Sequence, residues 1–411
     1  MTRIRSSIRR LTPVIAALSV AVSAGCVSQS VRKVDAVKAV HAERDLPAGQ
    51  LLDVAVITFD PGIPDTAEEQ KQQNISPDVR KAEAVYIPYV LRQTLQNTDY
   101  WGAVRVLPEA SPGHDLTITG KILQSDGQTL KLRIQATDAS GRQWFDRTYE
   151  DTAAALAYSE KLPPGVDPFQ NLYNRIANDL LAQRRSLDAA QLAQIKRVAD
   201  LRFAADMAPQ RFDQYLHQDR HGVYSVDRLP PADDPMQARV DAIRARDDLL
   251  VDTIDQYYGV FQNTMQPKYL AWRKSSYEEV AALQELHRSE LWRKIVGGLL
   301  VAGGAVALSQ SGGTPNAGAA GVVGIAGGAY LFKTGMDKAQ EEKVHVESLR
   351  ELNVSLGADM KPRVVELEGK TVTLTGSAQE QYRQWRRLLH DMYADETGAS
   401  DSAGSPAKTP Q

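Results

Sequence analysis

The chain has 411 residues, 43% of them apolar, a formal net charge of −3 at pH 7 and a single cysteine, Cys26. One cysteine closes no intramolecular disulfide, so stability must come from buried apolar surface, and the length suffices for two or three domains. A mildly acidic balance gives no electrostatic case for nucleic-acid binding.

Arg3, Arg5, Arg9 and Arg10 form a basic start, Leu11 to Val22 a short apolar core, and Ser23-Ala24-Gly25 a small-residue run before Cys26. That order reads as an export signal over residues 1–25. It resembles the signal peptide and lipobox of bacterial lipoproteins, with Ser23 where leucine is commonest. The resemblance implies cleavage before Cys26 and acylation of Cys26. Two or more acyl chains hold a protein stably to membrane lipid where one does not. Val27 stands where an aspartate would retain a lipoprotein at the inner membrane, so the same resemblance implies the periplasmic face of the outer membrane. The plainer alternative is a secretory signal with a spare thiol. Losing the four arginines takes the formal charge from −3 to −7. No cofactor beyond the covalent lipid is expected.

Residues 26–50 are polar and read as a tether. Leu51 to Phe59 is apolar and β-branched enough for a buried strand. Ser76-Pro77-Asp78 then starts a helix running towards Asn97, with Pro88 as an expected kink. Val104–Leu107, Leu116–Leu123, Leu130–Ala136 and Gln143–Tyr149 follow as strands, two of them after the turns Asp126-Gly127 and Ser140-Gly141. Residues 51–153 therefore read as a small α+β domain. The run "VAVITF", helix, "WGAVRVLP", "DLTITGKI", "LKLRIQATDASGRQW" resembles the periplasmic domain of curli-secretion lipoproteins and penicillin-binding-protein activator lipoproteins. The amino-terminal domain of the Tol-system translocation protein shares that pattern. The resemblance implies a non-enzymatic envelope domain that docks to protein or glycan partners or assembles into rings.

Residues 165–266 turn mainly helical. Helices are expected over Asn171–Arg184, over Asp188–Ala205 and from Pro209 to near Gly222. A longer one runs from Met236 to about Thr264, where Val240, Ile243, Leu250, Ile254, Tyr258 and Phe261 recur at spacings of three and four. After Pro267 a further helix leads without a break into an apolar glycine run that holds Gly297, Gly298, Gly303 and Gly304. The polar turn 309–316 separates it from a second run with small residues Ala320, Gly324 and Gly328 at spacing four. Residues 267–357 thus read as a long antiparallel helical hairpin whose apolar tip is 294–333. Small residues at that spacing let helix backbones approach closely, in lipid or between copies of the chain. Runs of 14 and 16 residues are short for full spans. Membrane insertion, homo-oligomerisation and burial at a protein–protein seam all fit. Residues 360–396 read as a β-hairpin followed by a helix, and 397–411 as a disordered tail.

The sequence offers little chemistry. His217 and His221, four apart on an expected helix with Asp213 and Asp219 nearby, come nearest to a metal pair. A zinc protease would need glutamate where Gln218 stands. Asp247 and Asp248 point apart on an amphipathic helix and read as a wet face. Tyr269 and Trp272 could grip a glycan or lipid, or fill the core. The glycine runs lack the Lys-Ser/Thr ending of a phosphate loop, and no nucleophile elbow occurs. The expectation is a non-enzymatic, metal-free structural or docking protein of the envelope; the alternative is an oligomeric secretion or permeation component.

Overall fold

The computed structural model describes residues 36–73, 75–158, 166–308, 346–348, 350–351, 354, 363–367 and 370–397. The expected export signal, Cys26, the expected turn 309–316, the second apolar run and the expected tail lie outside them.

Strand β1 (Val54–Ile57) is buried at every position and sits between β2 (Val104–Leu107) and β3 (Leu116–Ser125), parallel to both. A strand covered on both faces needs a continuous apolar run rather than alternation, which Val54-Ala-Val-Ile57 supplies. β3, β4 (Thr129–Asp138) and β5 (Gln143–Thr152) continue as an antiparallel meander, so the order is β2-β1-β3-β4-β5. The short helix α1 (Ala67–Gln72) and the long helix α2 (Pro77–Gln96) connect β1 to β2. Pro77 occupies the first turn of α2, where a missing N–H costs nothing.

Pro88 does not break α2. It leaves the carbonyl of Ala84 without its helical donor, and the N–H of Phe59 donates to that oxygen at 2.8 Å. The vacated acceptor thereby ties α2 to the end of β1.

Helices α3 (Gln170–Arg185) and α4 (Ala189–Met207) follow, α4 opened by a reciprocal capping box between Asp188 and Gln191. The helix expected beyond Pro209 stops after one turn, α5 (Pro209–Phe212). A small hairpin, β6 (Leu216–Gln218) and β7 (Tyr224–Val226), takes its place, turning at Gly222 with φ +81°. Glycine visits that region without a Cβ clash, so the chain reverses where a helix was expected.

The two helices expected on either side of Pro267 are one, α6 (Pro235–Leu308), 74 residues and about 110 Å long. Pro267 lies on its exposed face, while Phe261, Met265, Tyr269 and Trp272 carry one buried stripe past it into a common core. Buried residues of the sheet, of α2 to α6 and of the last helix form a single apolar cluster. β2 is an edge strand, and α6 covers its edge: Asp255 accepts from Val106 N at 2.8 Å and from Arg92 at 2.9 Å.

The C-terminal hairpin appears as expected, β8 (Arg363–Leu367) against β9 (Lys370–Leu374), and helix α7 runs Ala378–Thr397. The architecture is α+β.

The tether reading needs correction from residue 36 onwards. Val37 and Val40 donate their N–H groups to Asn171 and Asn178, while Asn174 and Asn178 donate to the carbonyls of Val37 and Lys38. The match is metric. Asn171 and Asn178 are about 10.5 Å apart along α3, and three extended residues span about 10 Å. Residues 36–42 are a strap laid on α3, closed by Ala42 N donating to Thr98 O.

Candidate functional site

Cys26, Ala320, Gly324 and Gly328 lie outside the described residues. Gly297, Gly298, Gly303 and Gly304 lie on the distal part of α6. Among the described residues no helix is long and apolar enough to cross a membrane.

His217 and His221 do not share a helix face. His217 sits on β6 and His221 in the turn beyond it, where Asp219 Oδ1 accepts the N–H groups of His221 and Val223. Those bonds hold the Asp219 carboxyl below its ordinary range and commit it to the turn. No group of three or more metal-binding side chains occurs among the described residues.

What the structure builds instead is a buried node at the root of α6. Arg273 is 0% exposed, and its Nη1 donates to Asp167 Oδ2 at 2.8 Å. Asp167 also takes the Tyr86 hydroxyl at 3.3 Å, and its Oδ1 accepts Phe169 N at the start of α3. One carboxylate therefore joins α2, α3 and α6. The Arg273 guanidinium lies 4.0 Å from the ring centre of Tyr269 and 5.0 Å from that of Phe169. Burial alone would pull this guanidinium's pKa down. The field of Asp167, then those of Tyr269, Tyr173 and Tyr86, push it well above its usual value. Tyr269 also donates to Glu83, which takes Ser125 from β3. Tyr269 and Trp272 stack at 5.7 Å and are core residues, not a ligand grip.

Just beyond the node the β3–β4 turn grips α6. Ser276 donates to Asp126 O at 2.8 Å, and Gln284 pairs with Gln128 at 2.7 Å. Gly127, at φ +75°, has no room for a side chain: an added Cβ would lie 2.3 Å from Arg273 O and 2.8 Å from Tyr277 N. From Gln284 the axis of α6 runs about another 36 Å to Leu308.

The wet face expected at Asp247 is also corrected. Asp247 is 5% exposed, accepting Trp385 Nε1 at 3.0 Å and Arg386 at 3.1 Å from α7. Arg386 reaches Asp206 of α4 as well, and Tyr382 shares a hydrogen bond with Ser111. α7 is thus a clasp across α4, α6 and the β2–β3 loop. Sequence reasoning missed it because its partners are 138 residues apart.

Beside the clasp, burial and then the positive fields of Arg244, Arg105 and Arg386 push the His114 imidazole down from 6.5 to about 3. The unfolded chain binds this proton below about pH 6.5 and the folded one does not, so stability falls as pH drops from there. The slope is at most about 1.4 kcal/mol per pH unit. Urea titrations from pH 7 to pH 4 are expected to show a shallower loss for His114→Gln than for the parent chain; equal slopes refute this.

A cleft of about 410 Å³ lies between the strap, α2, α3 and α6, with Tyr86 and Asp167 among its lining residues. Comparison with protein-family models, curated proteins and solved structures yields no match to this chain.

Proposed function

We propose that this is a non-enzymatic cell-envelope lipoprotein. Lipid on Cys26 anchors it to the periplasmic face of the outer membrane. Its body docks to envelope protein or glycan partners, and its glycine-rich region enters lipid or pairs with other copies. The observation that carries the reading is that α6 runs unbroken from a fully buried node through Gly297, Gly298, Gly303 and Gly304. A rod rooted in the core holds an apolar, bulk-free run at a fixed distance from the body. Apolar surface of that kind is favoured where lipid or a second helix covers it. Val346 packs back against the core, so the chain leaves the body along α6 and has returned by that residue.

The strap adds a distance limit. Cys26 precedes Ala36 by ten residues, which reach at most about 34 Å. A body held that close to a bilayer brings a rod of about 36 Å within range of it.

The test follows the full chain through cell fractionation and detergent partition. Native protein is expected to carry acyl mass and enter the detergent phase. Cys26→Ser is expected to shift most of it to the soluble fraction, and adding Gly303→Leu and Gly304→Leu to weaken any self-association, because side-chain bulk there blocks close approach of helices. Native protein without acyl mass that stays in the aqueous phase would overturn the reading.

A further inference from the structure

The cleft under the strap is independent of how the protein meets a membrane. Its walls carry six side-chain amides: Gln93 from α2 and Asn97 capping it, Gln170 and Asn174 from α3, Gln262 and Gln266 from α6. Gln170 and Asn174 are bonded to each other, to Thr94 and to the carbonyl of Val37, which leaves four for a ligand. Asp167 on the lining is occupied by Arg273, so it offers no free negative charge. Lys38 is exposed at the edge, on the strap. Gln262 is 3% exposed, and its Oε1 is buried without a hydrogen-bond partner among the described residues. A buried carbonyl in that position calls for a donor.

We infer that this cleft binds a neutral, hydroxyl-rich ligand, a glycan segment of one or two sugar rings. An amide offers two N–H donors and a carbonyl acceptor in one plane, whereas a hydroxyl both donates and accepts. The amides of Gln93 and Asn97 on one wall and of Gln262 and Gln266 on another therefore match neighbouring hydroxyls on a ring, and the unpartnered Gln262 oxygen takes one hydroxyl proton. A charged ligand finds no buried counter-ion, because the Asp167–Arg273 pair is internally neutralised. A volume of about 410 Å³ falls within the usual size of small-molecule sites. An extended peptide is the weaker fit. The strap shows how this protein holds a main chain, through the asparagine row of α3, and that row is already filled.

The experiment is calorimetric titration of the full chain in detergent with N,N′-diacetylchitobiose. Saturable binding is expected, weakened at least about tenfold by Gln262→Leu and severalfold by Gln266→Ala. Gln379→Ala on α7, outside the cleft, should leave it unchanged. Gln266 is only half-buried, so its variant decides the matter if Gln262→Leu fails to fold. Three results overturn the inference: no saturable binding up to roughly 10 mM sugar, unchanged affinity in Gln266→Ala, or tighter binding of a sugar acid or an extended heptapeptide than of the neutral disaccharide.

Discussion

Asp167→Ala is expected to lower the unfolding free energy by about 3–5 kcal/mol, because it leaves the fully buried Arg273 without its counter-ion. The guanidinium cannot shed its charge, since its pKa lies far above any working pH. Nε and Nη2 of Arg273 have no hydrogen-bond partner among the described residues, and the neighbouring Tyr173 hydroxyl is neutral and cannot stand in for a carboxylate. The ring faces of Tyr269 and Phe169 soften the loss without replacing a carboxylate. The double change Asp167→Leu with Arg273→Met should recover most of the loss, because apolar residues of similar volume often replace a buried pair at little cost. Urea unfolding read by tryptophan fluorescence measures both, with Trp272 stacked beside the node. A loss under about 1 kcal/mol for the single change would mean that the pair does not hold α6 to the body.

Much of the sheet is legible in the sequence because its signals are local. Val54-Ala-Val-Ile57 reads as a strand buried on both faces, and the alternating β3 and β4 are bracketed by Asp126-Gly127 and Ser140-Gly141. The helical reach of the glycine run is legible too, since nothing between Tyr269 and Leu308 interrupts it. Pro267 misleads because a proline inside a helix can be tolerated where the carbonyl it frees four residues earlier finds another partner. On an exposed face water hydrates that carbonyl, while the buried stripe continues on either side. The hairpin at 216–226 has a usable signal in Val223-Tyr-Ser-Val226 after Gly222, but it is short and is set in a stretch whose pattern is otherwise helical.

The strap, the node and the clasp were not legible, for one reason. Each pairs residues more than 100 positions apart: Val37 with Asn171, Asp167 with Arg273, Asp247 with Trp385. A pattern confined to one helix face sees Asp247 as a wet acid. Only the arrival of α7 makes it a buried acceptor. Asn171, Asn174 and Asn178 do share a face of α3, so a polar stripe was visible, but its occupant was not. The six amides of the cleft are likewise spread over three helices.

Gly127→Ala should destabilise the fold by about 2–4 kcal/mol, and a valine there by more. Two costs add. A residue with a Cβ resists φ +75° by roughly 1–2 kcal/mol. Forcing a methyl group against packed neighbours costs about 1–3 kcal/mol. The neighbours in question, Arg273 O and Tyr277 N, are backbone atoms of α6 and cannot swing aside. Gly222 separates the two costs. It has φ +81°, but the nearest atom to an added Cβ is Gln218 Nε2 at 3.7 Å, an ordinary contact. Gly222→Ala should therefore lose only the backbone share, about 1 kcal/mol. The excess at Gly127 measures how tightly the β3–β4 turn clamps the rod. Amide exchange gives an independent reading: Gly127→Ala should speed it in α6 around Arg273 to Tyr277, and Gly222→Ala should not. Equal losses from the two alanines, with no local change in exchange, would show that the turn merely lies near α6. The rod would then be held by the Asp167 node and by its contacts nearer Pro235, leaving the glycine run freer to pivot.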